Sequence, residues 1–215
     1  MKRIVIVFGL ALLALATAAQ TYPEPEFSNE VYFLKKDSVY SLMRLEKNSS
    51  KMETKTKLGG FGGSESGYTF DGQKSSVRFS GKTNFYFVIS NGASDKSASS
   101  AKSDSTMRAN GVDPSMMSGM MGGMTDPANS ITLYKVESEK GVRKILFQKM
   151  GGANPFANHK MQSSDKYTFS VKKIRDGYWV LIVDKVLPSG EYAFSMSAMG
   201  MGAMTGTVVF AFGVD

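Results

Sequence analysis

The chain has 215 residues, 26 of them Lys or Arg against 19 Asp or Glu, for a formal charge of +7, and it has no cysteine and one histidine. The lack of cysteine excludes disulfides, thiol nucleophiles and thiolate metal sites. His159 alone would have to serve every Ser-His scheme, so ordinary nucleophile–base chemistry has few parts.

Lys2 and Arg3 precede an apolar run over residues 4–15, and Ala16-Thr17-Ala18 fits an A-x-A cleavage site. Residues 1–19 therefore read as a secretory signal peptide; the apolar run is short for a membrane-spanning helix. With no cysteine to acylate and no other apolar run of membrane-spanning length, neither an acyl nor a transmembrane anchor is expected after cleavage, and the mature protein is expected in the periplasm or outside the cell. Loss of Lys2 and Arg3 lowers the charge to about +5. A basic exported chain suits an envelope protein or a surface glycan as partner, and nucleic acid is not expected.

Strand patterns then dominate a β-rich half spanning 20–91. "EVYFLKK" (30–36) and "SVYSLMRLEK" (38–47) flank a turn at Asp37. "KMETKTKL" (51–58) alternates, with Met52, Thr54, Thr56 and Leu58 on one side and charges on the other, as in a half-buried strand. "GGFGGSESG" (59–67) reads as a loop, and "SSVRFSG" (75–81) with "NFYFVIS" (84–90) as a hairpin.

Residues 92–129 break the pattern. The stretch is rich in Ser, Ala, Gly and Met, contains no aromatic residue, and is expected to be a long flexible loop. A second β-rich half covers 130–215. "SITLYKVES" (130–138) and "VRKILFQK" (142–149) join around Lys140-Gly141. "KYTFSVKKIR" (166–175) and "YWVLIVDK" (178–185) flank Asp176-Gly177, for which a type I′ turn is predicted. Both faces of "YWVLIV" are apolar, which predicts a central strand covered on both sides. "GEYAFSMS" (190–197) places Tyr192, Phe194 and Met196 on one face, and "GTVVFAFGVD" (206–215) does the same with Val208, Phe210 and Phe212. About eleven short strands without an amphipathic helix predict an all-β, antiparallel β-sandwich, in one or two sandwich-like halves.

Methionine is concentrated twice. Met116, Met117, Met120, Met121 and Met124 lie in the long loop; Met196, Met199, Met201 and Met204 lie near the last strand. Thioethers are soft ligands, and several together can hold Cu(I) or Ag(I) without thiolate. Methionine is also an adaptable filler and a common component of permissive binding surfaces. His159 and Met161 could form a mixed ligand pair. For a sugar-binding or hydrolase module, Trp179, Tyr178, Tyr134, Tyr167 and Tyr192 supply rings that could stack on sugars, although Trp179 occupies a core-like position. "GGFGG" (59–63) lacks the Gly-Lys-Ser/Thr ending of a phosphate loop.

"PEFSNEVYFL" near the mature N-terminus, "DPANSITLYK" (126–135), "GEYAFSM" and the closing "FAFGVD" together resemble a family of small exported β-rich proteins of Gram-negative bacteria without an assigned activity. The resemblance implies export and a β-rich fold, and it carries over no site residue. The expectation is thus an exported, non-enzymatic β-sandwich protein of the bacterial envelope, without a cofactor, that binds or assembles through its Met-rich loops. The rivals are a periplasmic Cu(I) or Ag(I) carrier and a carbohydrate-binding or hydrolase module.

Overall fold

The computed structural model describes residues 21–56, 63–80, 84–91, 127–151, 162–196 and 206–215. Among the described residues the strands are β1 (Val31–Lys36), β2 (Tyr40–Arg44), β3 (Glu46–Ser49), β4 (Lys51–Thr56), β5 (Gly63–Asp71), β6 (Arg78–Phe79), β7 (Tyr86–Ser90), β8 (Ile131–Glu139), β9 (Val142–Gly151), β10 (Lys166–Tyr167), β11 (Phe169–Arg175), β12 (Tyr178–Val183), β13 (Gly190–Met196) and β14 (Val208–Val214). A single helical turn, α1 (Pro127–Ser130), precedes β8. The fold is all-β and sandwich-like. One sheet runs β11-β12-β7-β1-β2, the other β3-β14-β13-β8-β9-β5-β4, and among the described residues every strand pairing is antiparallel except β6 with β14.

Both sheets draw strands from each side of the 92–129 stretch. The two β-rich stretches therefore share one interior. Val31, Phe85 and Phe87 from the first stretch pack with Leu133, Trp179, Leu181, Phe194, Phe210 and Phe212 from the second.

The second sheet is curled. Its outermost strands, β3 and β4, stand at opposite ends of the strand order, yet only Ser50 separates them in the chain. The sheet must therefore bend round until its two edges meet at that residue. Side-chain size follows the bend. On β13 and β14 the residues facing the inter-sheet core are large (Tyr192, Phe194, Phe210, Phe212), whereas those facing the inside of the curl are small (Ala193, Val209, Ala211). Tyr68, Phe70, Tyr134 and Ile145 fill the remaining space inside the curl.

Ser50 is buried at the seam. Its amide and hydroxyl both donate to the Thr207 carbonyl (2.8 and 2.7 Å), and its Oγ accepts the Thr207 amide (3.1 Å). Gly206 has φ +150°, and a Cβ there would fall well inside contact distance of the Ser50 carbonyl. Gly206→Ala is therefore expected to cost at least about 1–3 kcal/mol, from backbone strain before any displacement is counted, read as a lowered urea midpoint.

Several local expectations are corrected. The 38–47 segment is two strands: the chain switches sheets at Leu45, which is buried, and its amide donates to the Val31 carbonyl. Part of the glycine-rich 59–67 stretch is strand β5, in which Gly67 is required because a Cβ would collide with the Ile145 carbonyl. The 75–81 and 84–90 segments do not form a hairpin. Instead β6 pairs with the C-terminal strand in the curled sheet, while β7 sits between β1 and β12 in the other.

The two-residue turn with positive φ at both positions is Lys140-Gly141 (52° and 82°), the type I′ signature. At Asp176-Gly177 only the glycine is positive (70°), and a register shift between Lys173 and Arg175 takes up the difference. On β4 only Met52 of the supposed buried face packs inward; Thr54 and Thr56 are exposed, and Leu58 lies outside the described residues.

β12 has the predicted central position. Trp179, Leu181 and Val183 face the inter-sheet core; Tyr178 and Val180 face outward, with Leu34 and Val88. The outer face is covered by the segment just after the expected cleavage site. Tyr22 lies 5.3 Å from the Tyr40 ring and 6.4 Å from the Tyr178 ring, and the Tyr178 hydroxyl donates to the Pro23 carbonyl at 2.6 Å.

Candidate functional site

Met116, Met117, Met120, Met121, Met124, Met199, Met201 and Met204 lie outside the described residues, as do residues 1–19, His159 and Met161. Met196 is described: it is half-buried and packs against the inter-sheet core. The anchor points of both Met-rich segments are also described. Met196, where β13 ends, is the register partner of Ile131, where β8 begins. The segment after Met196 returns at Thr207, whose hydroxyl donates back to the Met196 carbonyl at 2.8 Å.

The other end of the long segment is anchored on the five-stranded sheet. Asn91 donates its amide to the Gly177 carbonyl (2.9 Å) in the turn between β11 and β12. The ring pairs Tyr167–Tyr192 (5.5 Å) and Phe169–Phe194 (5.9 Å) show that β10–β11 and β13 advance in step. Continuing that step sets Met196 opposite Val171 on β11. α1, the last turn before β8, touches β11 as well. Alternation in the strands sets this arrangement: Ile131, Met196 and Val208 all take inward positions on the same core.

Four of the five rings considered for sugar stacking are inside. Tyr178 and Tyr192 have no exposure, and Trp179 and Tyr134 keep only 9% each. Tyr167 is half-buried, edge-on to Tyr192. Burial pushes the Tyr178 and Tyr192 hydroxyls far above the usual phenol range, assisted at Tyr192 by the neighbouring Tyr167. A surface cleft of about 350 Å³ does gather carboxylates, from Glu53, Glu65, Glu137 and Glu139. Its lining contains no aromatic ring, Lys55 pairs with Glu53 at 3.0 Å, and Lys144 pairs with Glu65. Among the described residues no group of three or more His, Asp or Glu is placed to hold a metal ion.

A polar chain at one end of the curled sheet is absent from the sequence-based expectations. Arg143 is 1% exposed and donates to Glu46 at 2.5 and 3.3 Å and to the Asp71 carbonyl at 3.0 Å. Glu46 also accepts from the Ser75 hydroxyl (2.6 Å), the Ser76 amide (3.0 Å) and Asn48 (3.0 Å). Glu191 accepts from the Ser75 amide (2.8 Å) and from Arg78 (2.6 Å), and Arg78 reaches on to Asp215 (2.6 Å). Burial works to raise the Glu46 pKa, but the bonds from Arg143, Ser75, Asn48 and the Ser76 amide outweigh it and hold it at about 2. The signal was present in "VRKILF": period two puts Arg143 on the same face as Ile145 and Phe147, which point into the curl.

No family model, no curated protein and no solved structure matches this chain.

Proposed function

We propose that the protein is an exported, non-enzymatic component of the bacterial envelope that binds or assembles with a partner through the Met-rich segments 92–129 and 197–206. The observation that carries this reading is the base the two segments share where the first ends and the second begins, with Met196 in register with Ile131. Loops gathered at one end of a rigid scaffold are a common way to build a contact surface, and methionine side chains adapt to varied partners. Export is supported by the form of residues 1–19.

The test places a photo-crosslinking amino acid at Ser118, at Gly202 and, as a control, at exposed Lys172 in living cells. One envelope species joined at both loop positions and not at Lys172 is the expected result. Equal yields at all three positions, or none at the loops, reject the reading. N-terminal sequencing of the exported protein should begin at Ala19 or Gln20. Submicromolar Cu(I) binding in competition with a chelator, abolished when the nine clustered methionines become Leu, would replace this reading with metal carriage.

A further inference from the structure

We propose that the outer face of the five-stranded sheet carries a second binding site, for acidic saccharides, at the end away from Ser90 and Asn91. The register places it. Tyr32 pairs with Arg44 and Val88, Leu34 with Leu42, and Lys36 with Tyr40, so Lys36 and Tyr40 lie at the opposite end of β1 and β2 from Glu30 and the Ser90–Tyr178 pair. Tyr86 and Ile182 are register partners on the same face.

Two features of this face bear on a ligand. The face is tiled by half-exposed tyrosine rings, Tyr22, Tyr40 and Tyr86, over the buried Leu34 and Val88. In addition, the Lys36 ammonium sits 3.2 Å from the Tyr86 ring centroid and 6.0 Å from that of Tyr40. Among the described residues no carboxylate pairs with Lys36, whereas neighbouring Lys35 is bonded to Asp37 at 2.7 Å. A cation held on ring faces keeps its charge available to an anion approaching from solvent.

The chemistry selects the occupant. The C–H face of a pyranose packs on a tyrosine ring, its hydroxyls match the phenol oxygens, and a ring carboxylate meets the ammonium. Hydrocarbon would use the rings and leave the ammonium unmatched; a bare polyanion would do the reverse. A uronic-acid polymer uses both, and the basic mature chain favours its approach. Four of the five rings singled out in the sequence for sugar stacking are buried, and on this face Tyr22, Tyr40 and Tyr86 supply partly exposed rings instead.

The experiment titrates the mature protein with oligogalacturonate by calorimetry, with maltohexaose, polyphosphate and anionic phospholipid vesicles in parallel. Saturable, salt-sensitive binding of oligogalacturonate and none of maltohexaose are expected. Lys36→Gln should weaken it about tenfold, the loss of one charge-assisted contact. Tyr40→Leu keeps apolar cover but removes the ring, and should weaken oligogalacturonate without altering any residual polyphosphate binding. Thermal midpoints of both variants serve as the folding control, and circular dichroism confirms retained strand content. The proposal is overturned by no saturable binding in the wild type, by folded variants that bind as the wild type does, or by vesicles that bind while oligogalacturonate does not. A variant with its clustered methionines replaced should bind oligogalacturonate normally, so this site and the loop surface can fail separately.

Discussion

Glu46→Gln is expected to lower the unfolding free energy by about 3–5 kcal/mol, the range for removing one partner of a buried ion pair. The size follows from what the substitution leaves behind. Arg143 is 1% exposed, and among the described residues its Nε has no hydrogen-bond partner and the guanidinium bonds only to Glu46 and the Asp71 carbonyl. Without the carboxylate a full positive charge would remain in the interior against the Phe70 ring, whose face is 4.8 Å from the guanidinium. The double variant Glu46→Gln/Arg143→Met should recover much of the loss, because it removes the stranded charge and fills the space beside Ile145 with an apolar chain. Urea titration of the three proteins checks both statements. A double variant no more stable than Glu46→Gln would show that the chain through Ser75 and Glu191, rather than the ion pair, holds this end of the sheet.

The same pair sets an acid dependence. The Glu46 carboxyl is held at about 2 in the folded protein against 4.5 when unfolded. A depressed folded pKa means that the unfolded chain takes up the proton first as pH falls. The contribution is complete above about pH 4.5 and is lost on going down through about 2, amounting to on the order of 3 kcal/mol. The gap between the wild type and Glu46→Gln should therefore narrow below pH 4.5 and be constant above pH 6. Glu30 also has its pKa lowered: burial opposes this, but its bonds to Arg44 and Lys47 prevail. It adds to the acid slope of both proteins equally, so the difference between them isolates Glu46.

The strands that alternate cleanly were legible because one periodicity governs both their sequence and their burial. β12, β13 and β14 appear where "YWVLIV", "YAFSM" and "VVFAF" place them, with the predicted faces inward. What could not be read from local pattern is the curl. It depends on Ser50 bringing two sheet edges together and on glycines whose role is close approach rather than turning, so the Gly63–Gly67 run resembled a loop. β6 has two residues and gains its place only through the C-terminal strand, a partner more than a hundred positions away. Arg143 was legible in principle, since it shares a face with Ile145. Its partner Glu46 was not, because the switch of sheets at Leu45 decides which face Glu46 takes. Met117, Met120, Met121 and Met124 have the spacing of one helix face, weakened by Gly119, Gly122 and Gly123, and lie outside the described residues; the base shared by the two Met-rich segments follows from the β8–β13 register.

Phe212→Ala is expected to be as damaging as any single apolar truncation in this chain, at about 3–5 kcal/mol. The residue has no exposure and lies where the two sheets meet. Its ring is stacked on Tyr192 at 5.5 Å and lies 5.0 Å from Phe87 across the sandwich, with Phe79 and Phe194 at 5.7 and 6.1 Å. Little can move in to fill the vacated space. Phe87 is held between β1 and β12, and Tyr192 is tied by its hydroxyl to the Pro188 carbonyl at 2.6 Å. A cavity that cannot collapse adds to the transfer loss, which argues for the upper part of the range. On the other face of the same strand Ala211 points into the curl, where the reverse change, Ala211→Leu, should overpack the interior and cost about 1–3 kcal/mol. Urea midpoints of the two variants would show this opposite dependence on size within adjacent residues. If Phe212→Ala cost less than Ala211→Leu, the inter-sheet aromatic cluster would not be the main stabilising element, and the inside of the curl would take that place.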